Sequence, residues 1–232
     1  MSDWRGSIKF KTKLMTKLLL AAVAAVIVFH AAATAICGQN DSDVSRAKAE
    51  NRPRNELEVL GGGTFSSKKV IGNAIPDSVV AFAGLRYARR IYSSKHIGLK
   101  YTADVFPLMI LSYPEAVAGP GAAVIERRRT VAGVSVSLPG GLRTTFLPRA
   151  KYQPFIDLGT GIAYFTKRIP RVGGTRFNYT ASVGAGVQVR IADGRHVSLG
   201  YRFHHISNGG RGETNPSFNT HDLFVGYSFK SW

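Results

Sequence analysis

Two residues near the C-terminal end, His205 and Ser207, are of the types and at the spacing that nucleophilic ester chemistry needs. A serine hydroxyl is a weak nucleophile alone. An imidazole that takes its proton, held in the right tautomer by a third group, makes it a strong one. The pair ends a strictly alternating run. Val197, Leu199, Tyr201, Phe203, His205 and Ser207 take the odd positions, and Ser198, Gly200, Arg202, His204 and Ile206 the even ones. On a strand, residues two apart share a face and lie about 6.6 Å apart, within reach of an imidazole nitrogen. His205 and Ser207 therefore continue the apolar face, which suggests chemistry on a lipid. Asn208-Gly209-Gly210 follow at once and can aim backbone N–H groups at an oxyanion. A His-x-Ser spacing alone is common by chance. Its place at the end of an apolar stripe gives it weight.

The elements that must position this pair are strands. Alternation with a period of two marks eight of them, near 56–66, 78–91, 95–106, 130–146, 152–166, 176–191, 195–207 and 219–230. In the sixth, Phe177, Tyr179, Val183 and Val187 oppose Asn178, Ser182, Gly186 and Gln188. Arg86, Lys100, Asp104, Asp157, Arg190 and Arg202 all fall on polar faces. The strands reach or exceed the ~9–11 residues that cross a bilayer. The last ends in Tyr227, Phe229 and Trp232. The spacing predicts short links at 92–94, 147–149 and 192–194 and longer links at the other end. Together these predict an all-β, eight-stranded antiparallel outer-membrane barrel over 56–232, with apolar side chains on lipid and polar ones inside. The apolar stretch Pro107–Ile125 contains Pro114, Glu115 and Pro120 and reads as an outer loop. A soluble β-sandwich or lipocalin-like carrier would leave the outward apolar stripes unexplained.

The first 35 residues read as an export signal: a basic start, an apolar run from Leu18, and Ala33-Thr34-Ala35 as a cleavage pattern. Residues 36–55 read as a flexible polar lead-in. Cys37 has Ile36 before it, where a lipidated cysteine wants a small residue, and a single cysteine excludes an intrachain disulfide. The formal net charge is +17. Nucleic acid is the usual partner of such a balance, but an exported chain meets anionic lipid instead. Arg127, Arg128, Arg129, Lys167 and Arg168 fall in the expected outer loops and are candidates for phosphate contacts. No Cys/His cluster has metal-ligand spacing, and no cofactor is expected. His204 reads as a packed interior histidine. His221, on the site's face, reads as an accessory or an interfacial group.

The segments Tyr-Arg-Phe-His-His-Ile-Ser-Asn-Gly-Gly (201–210), Asn215-Pro216, Asn-Thr-His-Asp-Leu-Phe-Val-Gly-Tyr-Ser-Phe (219–229) and Pro-Phe-Ile-Asp-Leu-Gly-Thr-Gly-Ile-Ala-Tyr-Phe (154–165) resemble the lipid A 3-O-deacylase family, PagL. The resemblance is dense over the C-terminal third and architectural elsewhere. It implies an eight-stranded barrel in a Gram-negative outer membrane that hydrolyses the ester-linked acyl chain at position 3 of lipid A without a metal. His205 then matches the general base, Ser207 the nucleophile, and Asn208 and Gly210 the oxyanion region. The family form has Glu where this chain has Asn219. An amide oxygen can accept the imidazole N–H, as in Cys-His-Asn proteases, but adds no charge. The partner implied is lipid A or lipopolysaccharide, with a homodimer also considered. The alternative is a non-catalytic barrel that binds lipopolysaccharide or serves adhesion, a reading the absent carboxylate supports.

Overall fold

The structure, a computed structural model, describes residues 54–67, 70–118 and 123–232. The expected export signal and most of the lead-in lie outside the described residues, as do Lys68 and Lys69. Eight strands form one closed antiparallel barrel in chain order: β1 (Asn55–Ser67), β2 (Val79–Ser93), β3 (Ile97–Ala118), β4 (Val124–Phe146), β5 (Tyr152–Ile169), β6 (Thr175–Ala192), β7 (Arg195–Ser207) and β8 (Ser217–Ser231). Closure comes from β1 pairing with β8, for example Val59 with Tyr227. Among the described residues it leaves no sheet edge, which a chain in hydrocarbon requires.

The alternation read from the sequence is the inside–outside alternation of the wall. Val183, Leu199 and Val225 face out, at 45%, 61% and 55% exposure. Arg86, Asp104, Asp157 and Arg202 face in and are buried. An eight-stranded barrel is just wide enough for side chains to fill it, and here they do so in two tiers. In the tier nearer the chain ends, Arg86 binds Asp104 at 2.7 Å and Asp157 at 2.9 Å, and Arg143 binds Asp157 at 2.7 Å and Glu58 at 3.5 Å. Arg202 lies 3.8 Å from Asp104 and among the rings of Phe82, Phe106 and Phe224. Three guanidinium groups thus meet three carboxylates. The other tier is apolar, with Val80, Met109, Leu111, Tyr113, Val131, Phe165, Ile169, Ile206 and Phe218 buried against one another. Ile206 and Phe218 back the wall that carries the candidate site.

One expectation fails. Residues 107–118 and 124–129 are not loop: they continue β3 and β4, paired from Met109↔Gly133 to Ala118↔Val124. The apolar run conceals a strand because register shifts lie between Thr102 and Val105 and between Phe106 and Met109. A bulge breaks the period of two without ending the ladder. The same correction moves Arg127, Arg128 and Arg129 onto β4, and Lys167 and Arg168 onto the end of β5. The β5–β6 link, 170–174, is no longer than the β4–β5 link, 147–151, so overhanging strands supply most of the asymmetry.

Candidate active site

β7 and β8 place the site by simple register. His205 lies opposite Asn219, and Ser207 opposite Ser217. On the other side of β7, Tyr179 of β6 lies opposite Ser207. His205, Ser207 and Asn219, read from the sequence, come together in one line. His205 Nδ1 lies 2.6 Å from Asn219 Oδ1, and His205 Nε2 lies 3.2 Å from Ser207 Oγ.

The tautomer of His205 follows from a group that sequence reading missed. The Asn219 Nδ2 donates to the backbone carbonyl of Ile71 at 2.7 Å. A carbonyl can only accept, so the amide nitrogen must face Ile71 and the amide oxygen must face His205. Nδ1 of His205 therefore carries the proton it donates. Nε2 is left as the acceptor for the Ser207 hydroxyl. That is the arrangement a general base needs.

Ile71 belongs to the β1–β2 loop, which folds back over the end of β8. Ile75 N–H donates to Ser217 O at 2.9 Å, and Ser217 N–H to Asn73 O at 3.0 Å. Ser217 Oγ donates to the same Ile71 carbonyl at 2.8 Å. Gly72 turns the chain there at φ +68°, a conformation that suits glycine. Asn219 faces out of the barrel in parity with Leu223 and Val225, yet this loop covers it completely.

The expected oxyanion donors are engaged elsewhere. Asn208 N–H donates to Asn215 Oδ1 at 3.2 Å, and Gly210 N–H to Asn208 Oδ1 at 2.9 Å. Asn208 Nδ2 donates to Thr214 O at 2.8 Å. The Asn208 side chain thus shapes the β7–β8 loop as a local turn. Gly209, at φ +65°, passes over the Tyr179 ring, where an added Cβ would meet the ring at 2.9 Å. Arg211 then lies with Cζ 4.9 Å from the Phe177 centroid and Nη1 3.4 Å from Tyr179 Oη. It is the cation this loop sets against Tyr179, the residue opposite Ser207 on β6.

The basic residues named from sequence lie apart from this line, on β4 and β5, with β6 between them and β7. Arg129 binds Glu115 across the hairpin at 3.0 Å, and Arg128 donates to Asp77 O at 2.8 Å. Arg127 and Lys167 are exposed. His204 is buried in the lumen, 3.7 Å from Asp222. His221 sits outside, one step along the stripe from Asn219. Its Nδ1 lies 2.8 Å from Tyr201 Oη, and Phe65, Tyr201 and Phe203 surround its ring.

A closed barrel with an apolar outer wall, a packed lumen and a hydroxyl–imidazole–amide line on that wall defines a class, the outer-membrane barrels of Gram-negative bacteria. Within that class, residues 116–228 match the family model described as Lipid A 3-O-deacylase (PagL), the family that residues 201–229 resemble. Among solved structures, the outer membrane enzyme PagL is similar at 18% identity with a TM-score of 0.49, over 74% of this chain and 97% of that one. Neisserial surface protein A is similar at 12% identity with a TM-score of 0.42, over 76% and 95%. The outer membrane protein OprG from Pseudomonas aeruginosa is similar at 11% identity with a TM-score of 0.44, over 78% and 98%. No curated protein sequence matches the chain.

Proposed function

We propose that this protein is an esterase that removes the 3-O-linked acyl chain of lipid A in the outer membrane. The observation that carries this reading is the continuous Asn219–His205–Ser207 relay on the lipid-facing wall. Ser207 Oγ attacks the ester carbonyl as its proton passes to His205 Nε2. The tetrahedral adduct collapses by breaking the bond from the acyl carbon to the sugar 3-oxygen, which takes the proton from His205. Water, deprotonated by the same imidazole, then cleaves the acyl-serine and releases a fatty acid. Asn219 holds the imidazole throughout. Asn208 and Gly210 serve the oxyanion once their internal acceptors yield, a tightening that substrate commonly brings. Arg127, Arg128, Arg129, Lys167 and Arg168 give the outer end of the barrel the charge to attract lipid A phosphates. Residues 1–35 act as the export signal in this reading, and the barrel works without nucleic acid, as a single copy or a homodimer.

Mass spectrometry of lipid A from cells that express the wild type or Ser207→Ala tests the proposal. Loss of one ester-linked acyl chain in the first and not the second supports it. An unchanged lipid A in both, with the barrel in place, favours the non-catalytic lipopolysaccharide-binding barrel.

A further inference from the structure

We propose that the β1–β2 loop is a positioning element of this site, and that its Ile71 carbonyl makes an amide the required third group where a carboxylate would fail. The inference rests on the esterase reading for its catalytic part and on the hydrogen bonds alone for its structural part. Asn219 lies between two partners of opposite demand. His205 Nδ1–H needs an acceptor, at 2.6 Å, and Ile71 O needs a donor, at 2.7 Å. An amide has one of each on a single planar head, and an ionised carboxyl has two acceptors and no donor. An aspartate, which has the shape of Asn219, would set an oxygen against the Ile71 carbonyl, and a glutamate carries the same acceptor-only head one methylene further into the space between the loop and His205. It would then either swing away from His205 or push the loop off β8. The carbonyl is not free to turn, because Ser217 Oγ holds it at 2.8 Å and the chain that follows it is tied to the Ser217 backbone through Asn73 O and Ile75 N–H. Ser67 Oγ further fixes the β8 backbone by donating to Asn219 O at 3.0 Å. Burial sharpens the effect, since the Asn219 position is fully buried and a carboxylate oxygen there without a donor costs more than the bond it replaces. The Ser217 hydroxyl is thus a second positioning group, acting on His205 through Ile71 and Asn219.

The test uses the full barrel, refolded in detergent with purified lipid A, with fold verified by heat-dependent gel mobility. Asn219→Glu should lower kcat at least tenfold with KM little changed. Ser217→Ala should lower it only a few-fold. The double variant should be several-fold more active than Asn219→Glu, because an untethered carbonyl can retreat from the carboxylate. A purely structural role predicts losses that multiply. Hydrogen exchange at the Ile75 and Ser217 amides supplies a readout that needs no activity, and Asn219→Glu should speed it. Asn219→Glu as active as the wild type, or exchange that does not change, overturns the proposal. An inactive wild type with accelerated exchange in Asn219→Glu overturns the esterase reading and leaves the structural clamp standing.

Discussion

Arg143→Met is a measurable challenge to the packed lumen. Its guanidinium is fully buried and gives two charge-assisted bonds to Asp157, at 2.7 and 2.9 Å. It also faces Glu58 at 3.5 Å and lies 4.1 Å from the Phe155 centroid. Methionine fills similar volume and keeps contact with the ring, but removes the charge. Asp157 would keep one bond from Arg86, at 2.9 Å, while Glu58, only 4% exposed, would lose its counter-ion. Removing one partner of a buried pair costs about 3–5 kcal/mol. The surviving Arg86 bond places the expected loss near the lower figure, about 3 kcal/mol. Adding Glu58→Gln restores neutrality and should recover about half of that, because a buried charge no longer stands alone. Urea unfolding of the refolded barrel in lipid, followed by tryptophan fluorescence, gives the free energies, and turnover per folded molecule should not change. A loss below about 1 kcal/mol, or a double variant weaker than the single, would refute the view of the cluster as a balanced charge set.

Ser207→Ala and His205→Ala should each reduce fatty acid release from lipid A to background in folded barrels; activity in either removes the proposed mechanism. Asn219→Ala leaves the His205 N–H without its acceptor, a loss of about 1–3 kcal/mol, so kcat should fall about 5- to 150-fold and stop short of the Ser207→Ala level. Replacing Arg127, Arg128 and Arg129 together by Ala should weaken turnover of phosphorylated lipid A more than that of an uncharged ester. Arg127→Ala alone should carry most of the effect, since Arg128 and Arg129 are already engaged; equal losses on both substrates would end the phosphate role. Gly209→Ala and Gly210→Ala both place a side chain at positive φ, but only the first meets Tyr179. Kinetics of the pair should therefore show a larger drop in kcat for Gly209→Ala, and equal drops would remove the Tyr179 contact from the account.

Much of this was legible in the sequence because a barrel wall writes its geometry as alternation. Val183 and Leu199 outside and Arg86 and Asp157 inside follow from parity alone. His205 and Ser207 were placed on one face for the same reason, whereas Asn219 came only from the family resemblance, and the β7–β8 register then sets it opposite His205. The overhanging ends of β3 and β4 were not, since two bulges put the run from Thr102 to Met109 out of phase. The engagement of Arg129 was hidden because Glu115 meets it only across the hairpin. The Ile71 carbonyl was hidden in a deeper sense. A backbone acceptor is the same atom in every residue, so nothing in the residue types between β1 and β2 marks the one that turns toward Asn219. The occupied N–H groups of Asn208 and Gly210 escaped likewise, because the capacity to donate can be read from a sequence and the partner taken cannot.

The filled lumen fixes how a substrate can arrive. With ion pairs in one tier and packed rings and aliphatic chains in the other, the described residues leave no path the size of an acyl chain through the barrel, and Ser207, on the outer wall, faces the surrounding leaflet. On the proposed esterase reading, a protein built this way works in two dimensions. Its encounter rate is set by the mole fraction of substrate in the leaflet and by lateral diffusion, and bulk concentration has no direct meaning for it. Both products of an ester cleavage would be born in the same leaflet as the substrate, where the freed chain competes for the wall that held it.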